Sequence, residues 1–406
     1  MTGYDKIIEK YILNGIEKVD LSYFEPSYIP ERIIHRDEEI DVIMKNLALI
    51  FKKITPKNMF IFGKTGTGKT AVIKFLGRAM MNSKNEKINF VYMNCQINDN
   101  SYSLLYTLGR SAGAEIPVTG WSMDRLFNSV KDSVEKFSGY FIVVMDEIDR
   151  YIKKNGDDIL YSILLMNSEM QNSRIILIGI TNDVTIIDHL DPRVKSRLNE
   201  EKVVFPPYNQ FEIYDILKDR IEMAKMAGYI TDSAIRYISA IAAQENGDAR
   251  KAIDLLKSTL QIGIDLKNVP VEEKHVNIAK SKIEYDAISE TIRSLPLHSK
   301  IVLLSITLLK EYGNVNITTG EIYNAYRNLT NMINIPPLTS RRLTDILSDL
   351  DMLGIINAKV ISMGRYGRSK IVDIMLSSSF IKSILMEEEL LKSIKDSTRK
   401  QSQLKI

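Results

Sequence analysis

The chain has 406 residues, 45% of them apolar and 26% charged, and its 54 Lys and Arg against 51 Asp and Glu leave a formal net charge of +3. That length exceeds one ordinary domain and points to two or three, and the composition excludes a disordered chain that cannot bury a core. A charge so close to balance carries no argument for nucleic acid by itself; residues 285–406 hold a small basic excess, 16 Lys and Arg against 12 Asp and Glu.

Residues 4–19 and 37–54 have helical spacing, the second placing Ile40, Ile43, Met44, Leu47, Ile50 and Phe51 on one face. Between them Pro26 and Pro30 predict extended chain. Five short apolar runs follow, "MFIF" at 59, "NFVYM" at 89, "YFIVVM" at 140, "RIILIGI" at 174 and "KVVF" at 202, separated by helical stretches. Runs apolar on both faces that alternate with helices predict a buried parallel sheet. "FPPYN" at 205–209 closes that region, because consecutive prolines fit neither strand nor helix interior. Residues 210–265 read as helices only, and the polar stretch 266–282 leads to a third unit from about 285.

In the third unit, Thr318 and Glu321 form a capping box that starts a helix, and Leu338–Leu353 predicts another with Leu343, Ile346, Leu347, Leu350 and Leu353 inward. Two β-rich runs, "IINAKVI" and "KIVDIML", then flank the tip "MGRYGRSK". Three helices and a hairpin predict a winged helix. Thr339, Ser340, Arg341 and Arg342 crowd the end of the second helix that such a fold points into a major groove. At the tip, Arg365, Arg368 and Lys370 are placed to meet phosphates or a minor groove, with Gly364 and Gly367 permitting close approach. Tyr366 would stack on a sugar or cover the hairpin, and the bland alternative for the tip is a solvated turn.

The motifs that carry chemistry lie in the sheet region. "FGKTGTGKT" at 62–70 follows a strand and precedes a helix; Gly63, Lys64, Thr65, Gly66, Thr67 and Gly68 would curl the backbone around an anion. Lys69 would supply a point charge to the β and γ phosphates, and Thr70 a hydroxyl for Mg²⁺. "YFIVVMDEID" at 140–149 is a strand ending in acids, so Asp146 would reach the metal and Glu147 would face a water. Asn182, at the end of the next run, is either a γ-phosphate contact or ordinary turn chemistry. Cys95, the one cysteine, excludes an internal disulfide and reads as a small buried group. No metal cluster is expected from the four histidines, which are far apart in sequence. No apolar run approaches the roughly 20 residues that cross a bilayer, so the expectation is a cytoplasmic protein with no membrane.

The phosphate loop, "DEID", Asn182, "DPRVKSRL" and "GDARKAIDLL" occur in that order and resemble the motifs of an AAA+ ATPase. The resemblance implies that Arg197 acts on a neighbour's nucleotide and Arg250 on its own. "YIPERIIHRDEEI", "NCQINDNSYSLLYTLGRSAGAEIPVTGWS", "FPPYNQFEIYDILKDR", "LPLHSKIVLLSI", "LTSRRLTDILSDLDMLGII" and "GRYGRSKI" narrow it: from about residue 20 to 380 the chain is similar to archaeal replication initiators of the origin-recognition and cell-division-control (ORC/CDC) type. The implied fold is an α/β P-loop AAA+ ATPase domain over 1–206 with an initiator-specific, DNA-touching insert near 98–124. An α-helical lid over 207–280, a winged helix over 285–390 and a flexible tail over 391–406 complete it. The resemblance also implies nucleotide contacts by Tyr28, Arg36, Tyr208 and Arg220, ATP or ADP with Mg²⁺ as cofactors, and weak ATPase activity. Implied partners are double-stranded origin DNA, a paralogous initiator and the replicative helicase. The competing expectation is a DNA-binding transcriptional or replication regulator that binds ATP and hydrolyses little or none.

Overall fold

The computed structural model describes residues 20–26, 28–82, 87–362 and 368–392. The expected first helix at 4–19 and most of the expected tail lie outside them. The chain divides into two compact units, Met1–Ala279 and Lys280–Ile406.

The first unit opens with α1 (Asp37–Leu47), whose first turn holds Asp37, Glu38 and Glu39, acids that suit the positive end of a helix. It tightens into a 3₁₀ segment at Ala48–Lys52. The shorter period rotates Phe51 out of the expected buried face to 39% exposure, while Ile50 stays buried. Then come β1 (Asn58–Phe62), α2 (Lys69–Met81), β2 (Ile88–Asn94), α3 (Ser101–Ser111), α4 (Met123–Phe137), β3 (Tyr140–Asp146), α5 (Ile148–Asn155), α6 (Asp158–Glu169), β4 (Arg174–Thr181), α7 (Pro192–Leu198) and β5 (Glu200–Val204). The strands form one parallel sheet in the order β2-β3-β4-β1-β5.

Side chains of β1 alternate between two cores, as the strand period requires. Phe60 and Phe62 face the layer that includes α3, α4 and α6. Met59 and Ile61 face the layer of α1 and α2. This is why all five residues of β1 are apolar or buried without alternation in the sequence.

Three helices follow, α8 (Gln210–Met223), α9 (Asp232–Gln244) and α10 (Ala249–Asp265). Asn209 and Glu212 form a capping box at α8, and the three helices bury a separate core that takes in Phe24 and Tyr208. The polar stretch beyond them turns helical at Glu273: α11 runs over Glu273–Ser294 and spans the division between the two units. Residues 281–287 are exposed, whereas Val276 and Ala279 belong to one core and Ile292 to another. A helix with a solvated middle has the composition of a linker.

The second unit continues with α12 (Leu297–Glu311), β6 (Ile317–Thr318), α13 (Thr319–Met332), α14 (Ser340–Met352), β7 (Ile356–Ser362), β8 (Arg368–Ile374) and α15 (Ser378–Leu385). The Thr318–Glu321 capping box is present at α13, and the small sheet is antiparallel in the order β6-β8-β7. Leu343, Leu347 and Leu350 are buried as expected, but Leu353 is 47% exposed. The helix ends at Met352 and Gly354 turns with φ +70°, so Ile355 enters the core instead. Among the described residues no helix is long and apolar enough to cross a membrane.

Candidate nucleotide site and DNA-binding surface

The sheet order decides what meets at its carboxyl edge. Because β4 lies between β1 and β3, the loop after β1, the end of β3 and Asn182 just after β4 are neighbours. Lys69 Nζ donates to Asn182 Oδ1 at 2.9 Å and to the carbonyls of Gly63 and Lys64 at 2.6 and 2.7 Å. Thr70 Oγ1 donates to Asp146 Oδ2 at 2.7 Å. Thr67 is buried with its hydroxyl on Lys64 O, which tightens the loop. Burial pulls the Lys69 ammonium down to about 8; Asp146 opposes that shift and Arg250 adds to it.

Glu147 stands at the start of α5 with φ +59°, a left-handed conformation that costs a side-chain-bearing residue roughly 1 to 2 kcal/mol. Its Oε2 is buried and receives no hydrogen bond, although Arg150 Nε stands 3.2 Å away. Strain of this kind collects at functional sites.

From the loop, a cleft runs past Gly66, Gly68 and Thr70 to Tyr28, Tyr208 and Arg220. Gly68 has φ +91°, and a Cβ there would meet the Tyr208 hydroxyl at 2.6 Å. Arg220 is buried, sits 4.6 Å over the Tyr28 ring and donates to Tyr23 O, with its basicity lowered by burial. Arg250, exposed at the start of α10, lines the same cleft.

The side chains of two expected nucleotide contacts are engaged within the protein. Arg36 does not line the cleft: its guanidinium donates to Thr67 O and Pro206 O at 3.0 and 2.7 Å and lies 3.7 Å from the Tyr208 ring. It braces the phosphate loop from behind, since its donors are taken by main-chain carbonyls. The Lys64 side chain likewise turns away, to Asn246 Oδ1 at 2.9 Å. Thr65 is exposed at the turn of the loop. Arg197 is exposed on α7, 5.6 Å from the Tyr161 ring and outside the cleft lining.

Sequence reasoning missed three groups. Tyr92 donates to Asp146 Oδ2 at 2.7 Å, with Lys74 Nζ 4.0 Å over its ring. Burial and the Asp146 carboxylate push the Tyr92 phenol well above its ordinary range. Only the parallel β2–β3 register, which sets Asn94 beside Asp146, could have revealed it. Asp248 caps α10 and touches Gly66; its "GDAR" position is a recognisable N-cap. Asp254, at the cleft wall, is held above the usual carboxylate range by burial. Cys95 is buried, its thiol pushed up to about 12 mainly by burial, in keeping with an inert packing role.

Asp146 and Thr70 offer oxygen donors only, which fits a hard divalent cation such as Mg²⁺ completing its shell with phosphates and water. Among the described residues no group of three or more His, Cys, Asp or Glu could hold a metal by itself.

In the second unit, Thr339 caps α14 by accepting from Arg342 N, and Ser340, Arg341 and Arg342 are exposed on its first turn. Lys370 Nζ donates to Ser348 Oγ at 2.7 Å, tying β8 to α14. Ser362 pairs with Arg368 at the end of the β7–β8 ladder. Arg365, Tyr366 and Gly367 lie outside the described residues, and of Arg368 only the backbone is described. In the region of the expected insert, α3 and α4 pack on the sheet core, and Arg125 lies 4.2 Å over the half-buried Trp121.

Comparison with known proteins agrees with this layout. Three family models match: the ATPase family associated with various cellular activities (AAA) over residues 59–206, the Cdc6 AAA+ ATPase-type lid domain over 214–281, and the CDC6 C-terminal winged helix domain over 290–383. An ORC1-type DNA replication protein 1 of Methanosarcina acetivorans is 43% identical over 376 residues, covering 91% of each chain. An ORC1-type DNA replication protein of Thermoplasma volcanium is 40% identical over 394 residues, 97% of each chain. The structure of the Aeropyrum pernix ORC1 protein in complex with DNA superposes with a TM-score of 0.76 at 35% identity, covering 92% of this chain and 98% of that one.

Proposed function

The chain belongs to the ORC1-type, Cdc6-like family of AAA+ DNA replication proteins, and from that premise we propose that it binds origin DNA sequence-specifically, holds ATP or ADP as a slowly hydrolysed switch, and helps load the replicative helicase. The observation that carries the nucleotide half is that Lys69 bonds Asn182 and the adjacent Thr70 bonds Asp146 at one sheet edge. A protein that merely needed a glycine turn would have no reason to converge those groups there.

Lys69 and the loop amides bind the phosphates, and Asp146 with Thr70 holds Mg²⁺, which when bound supplies positive charge to the β and γ phosphates. Glu147, whose buried Oε2 accepts no hydrogen bond and faces Arg150 as an ion pair, orients the attacking water and takes its proton. Asn182 positions the γ-phosphate and that water. Arg250 stabilises the charge that develops on its own nucleotide, and the exposed Arg197 does so for a neighbouring copy. Tyr28, Tyr208 and Arg220 shape the other end of the cleft.

The DNA half is supported by the exposed first turn of α14 and by the DNA complex of the Aeropyrum relative. Arg341 and Arg342 contact bases or phosphates, Thr339 and Ser340 the backbone, and the hairpin tip a neighbouring groove. The insert near 98–124 is a second contact, and a paralogous initiator the adjacent partner. A genome-wide map of bound sites tests the reading: occupancy at replication start points supports it, and occupancy confined to promoters favours a regulator.

A further inference from the structure

A recognition helix reads bases only if its starting residue is fixed, because a slip of one residue turns the helix by about 100° and moves it about 1.5 Å. The segment before α14 has little main-chain bonding to fix it: Pro336 and Pro337 carry no N–H. Leu338 is the first residue after them with both a donor and an acceptor, and it directly precedes the cap Thr339.

Both of its polar groups are taken by tyrosines of α13. Leu338 N donates to the Tyr326 hydroxyl at 3.0 Å, and the Tyr323 hydroxyl donates to Leu338 O at 3.3 Å. The two rings stack with centroids 6.3 Å apart. The Tyr326 oxygen is itself held, 2.7 Å from His298 Nδ1 on α12, and the Tyr326 side chain is fully buried. A hydroxyl used at two points, inside a packed core, has no freedom to drift.

We propose that Tyr323, Tyr326 and His298 are positioning residues that set the start of α14, and through it the sequence discrimination of the winged helix, by holding both main-chain groups of Leu338. This rests on reading α14 as the DNA-reading helix. None of the three touches DNA in this account. Loosening them costs base readout, which needs the helix placed closely, and spares the long, adaptable arginine contacts to phosphate.

The test uses the full chain. A preferred duplex is selected from a random library by the wild-type protein, and affinity for it and for a scrambled duplex of equal length is measured at one salt concentration. Tyr326→Phe keeps the ring and removes the hydroxyl; the expected result is a fall of roughly tenfold in the ratio of the two affinities, the size of one mismatched base pair. Affinity for the scrambled duplex stays within about twofold, and hydrogen exchange at the Leu338 amide accelerates. His298→Leu moves the ratio the same way, whereas His298→Asn, which can offer a polar atom in place of Nδ1, restores it. If Tyr326→Phe does not fold, Tyr323→Phe, which leaves the buried phenol in place, carries the same expectation. An unchanged ratio in folded variants, or a parallel fall for both duplexes, overturns the proposal. A wild-type chain that selects no sequence overturns instead the reading of α14 on which it stands.

Discussion

A Cβ built on Gly66 would stand 1.7 Å from Oδ1 of Asp248. The phosphate loop and the first turn of α10 thus meet with no room for a methyl group, and Gly66 O also accepts from Ala249 N at 3.2 Å. Asp248 caps the same turn by accepting from Arg250 N at 2.9 Å. Loop conformation and the position of Arg250 are therefore tied together where Gly66 meets the first turn of α10.

Gly66→Ala should break that contact and force a side chain into φ +75°, which alone costs roughly 1 to 2 kcal/mol. We expect a lower melting temperature and at least a tenfold loss of nucleotide affinity, read by titration with a fluorescent ATP analogue. Wild-type affinity in the variant would show that the loop and lid are not coupled in this way.

Glu147→Gln keeps the shape of the side chain and removes its basicity. ATP should still bind, while hydrolysis falls by roughly 10² to 10⁴. Single-turnover hydrolysis at the wild-type rate would reassign the residue.

Tyr92→Phe deletes one of the two hydroxyls on Asp146 Oδ2 and leaves the ring under Lys74. Groups that orient a metal ligand typically set about 10- to 100-fold in metal affinity. The Mg²⁺ concentration needed for half-maximal binding of ATP should rise about tenfold, with Mg²⁺-free nucleotide binding unchanged. A Mg²⁺ titration that overlays the wild type would make Tyr92 a packing residue only.

Arg341→Ala with Arg342→Ala removes two exposed cations from the first turn of α14. The slope of log affinity against log salt should flatten by about 0.9 for each phosphate that the variant no longer neutralises. An unaltered slope places the phosphate-binding cations elsewhere.

Much of the site was legible because its chemistry is local. The phosphate loop, Asp146 and Asn182 each end an apolar strand, and the strand order then brings them together without further information. What was not legible depends on long-range closure. Arg36 looks like a cleft residue until Thr67 O and Pro206 O claim its donors. Tyr92 becomes relevant only through the register of β2 on β3. Helix ends misled for a different reason: Phe51 and Leu353 continue an apolar period past the point where a 3₁₀ turn or Gly354 changes it. The stretch 266–282 has a linker's polarity because residues 266–270 are an exposed turn and α11, which starts at Glu273, buries only a few of its first residues.

Calorimetric titration of the full chain with ATP and Mg²⁺ is the most direct check on the cleft that organises the rest. The wild type should take up one nucleotide per chain, and Lys69→Ala, which removes the ammonium now bonded to Gly63 O, Lys64 O and Asn182 Oδ1, should take up none at the same concentrations. A wild-type chain that binds no adenine nucleotide, or a variant that binds it as tightly, would contradict the account.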